Sequence, residues 1–284
     1  MPCYNPLTAW RKQSVDPRTG KRGITFSRSS GLSDMEVSIP CGKCMGCRIR
    51  KSIDWSLRCV HESQLYKENC FITLTYDDEH LPEGGTLVKK HFQDFMKRLR
   101  FSIEPRKIRF FMCGEYGEQL QRPHYHALIF NYDFPDKKPF KYSANSILYT
   151  SEQLSKLWPY GFVTVGACNY TTAMYTAQYT LKKIYGEFAD GHYQGKVPEF
   201  CQMSMRPGLG RGYIEKYEDE LRQNDSIVFN GREYPMPAYY DQVFAELDLQ
   251  KAKRKAKINK AESTIERLRV KEVCMKSRQK MRQR

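Results

Sequence analysis

The sequence predicts an α+β fold: a central antiparallel sheet with flanking helices, a Cys-rich N-terminal region before it and a basic helical tail after it. Three observations carry this. Strand-like and helix-like runs are interleaved without a strict βαβ rhythm, which points away from a parallel sheet. Two neighbouring strand-like runs are joined by a short turn-forming segment, the pattern of a hairpin. The positive charge is concentrated at the C-terminal end, where apolar residues are sparse. These features divide the chain into residues 1–65, 66–240 and 241–284, a Cys-rich basic region, a main domain and a basic tail.

Residues 1–40 are rich in Pro, Gly and Ser, carry Arg18, Lys21 and Arg22, and read as irregular. Ser52 to Leu65 reads as a helix and Phe71 to Tyr76 as a strand. From Val88 to Phe101 the chain is amphipathic, with Phe92, Phe95, Met96 and Leu99 on one side. Pro105 separates that helix from a strand over Lys107 to Cys113. A loop at Gly114-Glu115-Tyr116-Gly117-Glu118-Gln119 leads into the run Arg122-Pro123-His124-Tyr125-His126-Ala127-Leu128-Ile129-Phe130, whose branched and aromatic residues read as a second strand. Ser151 to Leu157 is a short helix and Phe162 to Gly166 a strand. Thr172 to Tyr185 reads as a helix, with Asn169 or Thr171 able to cap its start and Gly186 able to end it. Gly208-Leu209-Gly210-Arg211 reads as a plain turn. From Lys251 to Arg284 there are fourteen Lys or Arg against three Glu, a net +11, on a helix that frays unless it docks.

Composition sets the partner class. The formal net charge is +15 and the pI near 9.3, the balance of a protein that meets a polyanion. A mean hydropathy of -0.68 and the lack of any apolar run near the roughly twenty residues needed to span a bilayer exclude a membrane protein. The N-terminus shows no hydrophobic signal segment, so the expected compartment is a cytoplasm with reduced thiols. Ten cysteines are present, and Cys41, Cys44 and Cys47 form Cys-x-x-Cys-x-x-Cys, a spacing that converges thiolates on Zn²⁺. Cys3 is the best fourth ligand, with Cys59 and His61 as alternatives. Arg48, Arg50 and Lys51 follow directly and are placed to touch DNA.

Two motifs carry chemistry. His124 and His126 are two apart on a strand, so their imidazoles point to one face and supply half of a metal site. Taken alone, such a pair is commonly just packed. Tyr175 and Tyr179 are four apart on a helix, on one face with roughly 6 Å between Cβ atoms, and Lys182 and Lys183 follow within a turn. Aromatic residues at that spacing usually pack. A phenol has a pKa of about 10, so as a nucleophile it needs a cation, a metal or a base beside it.

Together, His-hydrophobic-His on a strand and Tyr-x-x-x-Tyr-x-x-Lys-Lys on a helix resemble the HUH endonuclease superfamily. More narrowly, the chain is similar to the replication initiators of Microviridae, gokushovirus-like single-stranded DNA phages. Pro40-Cys41-Gly42-Lys43-Cys44-Met45-Gly46-Cys47-Arg48, Phe71-Ile72-Thr73-Leu74-Thr75-Tyr76-Asp77-Asp78 and Gly114-Glu115-Tyr116-Gly117 fit the same resemblance, which runs from about Pro2 to about Tyr213. It implies a central antiparallel sheet that carries the histidines, with the tyrosine helix packed across that face. The hairpin nominates Glu115 as third metal ligand, with Glu118 and then Asp77 or Asp78 behind it; imidazoles plus a carboxylate suit Mg²⁺ or Mn²⁺.

The implied activity is rolling-circle initiation on single-stranded and supercoiled circular DNA at the viral origin. Tyr175 or Tyr179 attacks the scissile phosphate, leaving a 5′-phosphotyrosine and a 3′-OH primer, and the strand is later religated. Lys182 and Lys183 serve the leaving group, the phenol or the DNA backbone, with Lys183 favoured for Tyr179 at i+4. Host DNA polymerase and helicase are the implied partners and the host bacterial cytoplasm the site of action. The competing readings are a zinc-stabilised, non-catalytic nucleic-acid-binding protein and a plasmid mobilisation relaxase with the same chemistry.

Overall fold

The computed structural model describes residues 3–17, 20, 22–143, 146–182, 188–224, 226–244 and 264–282. They fall into two compact units. One comprises Met1–Arg50 with Ala245–Arg284, and the other Lys51–Phe244.

The first unit holds strands β1 (Leu7–Val15), β2 (Arg22–Thr25) and β3 (Gly31–Ile39), paired antiparallel in the order β2-β1-β3. This sheet corrects the irregular reading of residues 1–40. Most of its side chains face solvent, so no apolar alternation marks the strands in the sequence. β3 approaches β1 closely at Gly31, where an added Cβ would lie 2.4 Å from that of Trp10. Helix α1 (Met45–Ser63) begins seven residues earlier than the apolar pattern indicated and runs on into the second unit.

The second unit is built on a seven-stranded sheet. In chain order its elements are β4 (Asn69–Thr75), α2 (Lys89–Ser102), β5 (Arg109–Tyr116), β6 (Pro123–Phe130), β7 (Lys138–Ser143), β8 (Ser146–Thr150), α3 (Glu152–Leu157), β9 (Val163–Ala167), α4 (Tyr170–Lys182), α5 (Phe188–Tyr193) and β10 (Phe200–Met203). Short elements complete it: α6 (Arg211–Lys216), α7 (Glu218–Gln223), β11 (Ser226–Phe229), β12 (Arg232–Pro235) and α8 (Ala238–Phe244). The sheet order is β10-β5-β6-β4-β9-β8-β7 and every pairing is antiparallel. The tail helix, α9 (Ile265–Arg282), belongs to the first unit and buries Leu268.

Both faces of the central sheet are covered, which is why β4, β5 and β6 read as near-continuous apolar runs. Ile72, Leu74, Met112, Tyr125, Ala127 and Ile129 pack on one face against Phe92, Phe95, Met96 and Leu99 of α2 and Trp158 after α3. Phe71, Phe111, Leu128 and Phe130 pack on the other against Ala173 and Ala177 of α4 and Cys59 of α1. Trp55 of α1 stacks on Phe111 with ring centroids 5.1 Å apart. Asn169 caps α4 as expected: its side-chain oxygen accepts the Thr172 N–H at 3.0 Å.

Candidate active site and metal centres

Strand register assembles the first site. On β6, His124 lies opposite Glu115 of β5 and Thr75 of β4, and His126 lies opposite Cys113 and Thr73. The two-residue period of the strands turns all of these toward the face covered by α4. Glu115 therefore stands inside β5, fully buried, rather than in the Gly-flanked turn the sequence suggested; the strand runs on to Tyr116. Its Oε1 is 3.0 Å from His124 Nε2 and 3.0 Å from His126 Nε2. The three ligand atoms lie within 4.8 Å of one another.

The outer nitrogens fix the rings. His124 Nδ1 is 3.1 Å from the Arg122 carbonyl, which can only accept, so that nitrogen carries the hydrogen. His126 Nδ1 is 2.9 Å from Thr73 Oγ1. Nε2 of each ring is thereby directed at the carboxylate. Burial alone would raise the Glu115 carboxyl, but the two imidazoles outweigh it and hold it below the usual range. Two imidazole nitrogens and a carboxylate oxygen thus converge on one point. Two nitrogens, one oxygen and an outer partner on the opposite nitrogen make a donor set fit for a divalent metal.

Tyr175 of α4 borders this cluster. Its ring lies 5.0 Å from that of His126 at 76°, and 6.4 Å from Phe71 at 83°. With 42% of its surface exposed, it opens into a cleft of about 700 Å³ lined by Glu115, Glu118, Arg122 and His124 among others. Tyr179 and Lys182 are helical residues of α4 whose side chains lie outside the described residues, as does Lys183 entirely. Glu118 lines the cleft from its exposed loop. Asp77 is engaged by His80 at 2.8 Å and Asp78 pairs with Arg122, so neither joins the histidines. Thr73 is a site residue that no sequence pattern singles out; only the pairing of β4 with β6 reveals it. Arg122, just before β6, joins the site through its carbonyl at His124 Nδ1 and lines the cleft.

The cysteine motif gathers as well. Cys3, Cys41, Cys44 and Cys47 bring their sulfurs within 4.8 Å of one another. Backbone N–H groups, that of Tyr4 among them, pull the Cys44 thiol down to about 7 although burial opposes them. The alternative fourth ligands lie elsewhere. Cys59 is buried between α1 and the sheet, and His61 stacks on Tyr213 at 3.9 Å. Arg48 and Arg50 lie on α1 within the first unit. Lys51, the next residue of α1, starts the second unit.

Comparison with known proteins places this arrangement. Residues 69–184 match the family model for replication-associated protein ORF2/G2P. The chain is 33% identical over 250 residues to replication-associated protein VP4 of Bdellovibrio phage phiMH2K, covering 84% of this chain and 76% of that protein. The chain belongs to the phage replication-associated proteins. This replication-associated protein is also 35% identical over 217 residues to replication-associated protein ORF2 of Spiroplasma virus 4, covering 72% of the chain and 67% of that protein. To replication-associated protein ORF4 of Chlamydia phage 1 it is 30% identical over 226 residues, 76% of the chain and 56% of that protein. It is thus a Microviridae-like replication initiator, as the resemblance implied. No solved structure matches it. The family segment starts with β4 and extends just past α4, so the replication-associated core contains Glu115, both histidines and both tyrosines.

Proposed function

We propose that this replication-associated protein is a metal-dependent tyrosine endonuclease and strand transferase that starts rolling-circle replication by nicking single-stranded or supercoiled circular DNA at the viral origin. One observation supports this above the rest: Tyr175 projects into the same cleft as a Glu115–His124–His126 cluster whose ligand atoms lie within 4.8 Å. Those three residues would hold Mg²⁺ or Mn²⁺, which when bound polarises the scissile phosphate and offsets developing negative charge. Glu115 and the histidines sit on paired strands, so the phosphate is presented at a fixed point. The Tyr175 Oη–phosphorus bond forms as the phosphorus–O3′ bond breaks. The phenolic proton is lost to solvent, and the departing oxygen takes a proton to become a free 3′-OH. The bond energy is conserved in the 5′-phosphotyrosine, so attack by a 3′-OH reverses the step and religates the strand.

Tyr179 is the second nucleophile, cutting the regenerated origin while Tyr175 holds the displaced strand, or the reverse. Lys182 and Lys183 favour the phenolate and hold the DNA backbone. Arg48, Arg50 and Lys51 contact DNA phosphates in their own right. A free 3′-OH needs a polymerase, and strand displacement a helicase, so host DNA polymerase and helicase are the partners, met in the bacterial cytoplasm. No described helix is long and apolar enough to cross a membrane.

Covalent capture tests the reading. The protein is incubated with origin-bearing single-stranded DNA and Mn²⁺ or Mg²⁺, then denatured in detergent and resolved by gel. A protein–DNA adduct is expected, absent for His124→Ala and for the double Tyr175→Phe, Tyr179→Phe variant. Adducts that persist in the double variant, or salt-sensitive binding with no adduct under either metal, would overturn it.

A further inference from the structure

We propose that Cys3, Cys41, Cys44 and Cys47 bind one Zn²⁺ ion in a closed tetrathiolate centre that holds the N-terminal sheet to the start of α1. The nicking chemistry makes no use of these residues. Their Sγ atoms converge within 4.8 Å, and Cys3 and Cys44 are 3.8 Å apart. A tetrahedron with Zn–S bonds near 2.3 Å has sulfur–sulfur edges of about 3.8 Å. Backbone donors already point at the sulfurs: Cys41 N–H to Cys3 at 3.2 Å, Cys44 N–H to Cys41 at 3.3 Å, and Tyr4 N–H to Cys44 at 3.3 Å. Such bonds disperse thiolate charge, as outer partners do in metal sites. The turn between Cys41 and Cys44 depends on Gly42, whose φ of 73° is the left-handed conformation that glycine adopts freely.

The second line of reasoning is what the unit lacks. Among the described residues of the first unit, the only buried side chains other than glycine are those of Tyr4, Ala9 and Leu268. A three-stranded sheet with so small an apolar interior needs another source of stability, and a bound metal supplies it. Cys3 precedes β1, Cys41 follows β3, and Cys44 and Cys47 flank the first residues of α1, so one ion ties three segments together. All-sulfur donors select a soft or borderline cation. Four protein ligands leave no open position for substrate, which makes the centre structural.

Metal content decides this. The wild-type protein, His124→Ala and the double Cys44→Ser, Cys47→Ser variant are purified without added metal or chelator and measured by elemental analysis. About one zinc per chain is expected in the first two and less than a tenth of that in the third. Because the cysteine variant can fail to fold, Co²⁺ is also exchanged into the wild-type protein. An intense thiolate-to-cobalt absorption with tetrahedral d–d bands is expected. Wild-type protein without zinc, iron in its place, zinc lost from His124→Ala but kept by the cysteine variant, or cobalt binding without the thiolate band would each overturn the proposal.

Discussion

His126 is held on both sides, by Thr73 at Nδ1 and by Glu115 at Nε2. Outer partners of this kind typically set metal affinity by 10–100-fold. Thr73→Val, which keeps the shape and removes the acceptor, should raise the Mn²⁺ concentration for half-maximal adduct formation by about that factor, with the yield restored at saturating metal; an unchanged metal titration would exclude the role. The histidines and Glu115 are legible in the sequence because a two-residue period and a short hairpin are local properties. Thr73 is not, since its place opposite His126 comes from pairing two strands 53 residues apart. His61 gives a pH effect of definite sign. It is 3% exposed, bonded to the Tyr240 hydroxyl at 2.9 Å, and burial pulls it down to about 4. An unfolded histidine takes a proton near 6.5, so between about pH 6.5 and 4 the unfolded chain binds more protons and stability falls as pH drops, by up to ~3 kcal/mol. Urea unfolding at pH 7 and 4.5 should show that loss, and His61→Gln should lose less over the same window.

Helix α4 approaches the sheet through small residues. Ala177 is wholly buried and Ala173 nearly so, and Ser52 of α1 donates to the Ala177 carbonyl at 3.3 Å. Ala177→Leu should cost about 1–3 kcal/mol by overpacking and shift Tyr175 from the Glu115–His124–His126 cluster. The expected result is a lower denaturation midpoint and a lower adduct yield at unchanged Mn²⁺ requirement. Gly161 plays a comparable part between α3 and β9. Its φ is 151°, and an added Cβ would lie 2.4 Å from the Asp77 nitrogen and 2.6 Å from the Thr75 carbonyl oxygen. Gly161→Ala should therefore destabilise by more than about 2 kcal/mol, read from chemical denaturation. The legibility of each element follows its burial. α2 shows a helical period because one face packs, whereas β1, β2 and β3 expose both faces over most of their length and leave no periodic trace. α4 is legible from its Asn169 cap, but its packing face is marked by alanines, whose weak signal the tyrosines overshadow.

Over the whole molecule the charge is uneven. Residues 251–284 carry a net +11 of the total +15. If each basic side chain meets a phosphate, single-strand affinity falls with salt by about 0.7 of a log unit per log unit for each contact. Replacing Lys251, Lys253, Lys255 and Lys257 by Gln should lower that slope by up to about 3 and leave adduct formation at saturating DNA unchanged. An equal slope would remove the tail from DNA binding. The division of the chain into Lys51–Phe244 and a unit drawn from both ends, Met1–Arg50 with Ala245–Arg284, also sets an order of synthesis. Translation at about 5–20 residues per second delivers the central unit complete before the last partner of the outer one leaves the ribosome. The histidine sheet is thus synthesised a few seconds before α9, the helix that shares a unit with the first fifty residues.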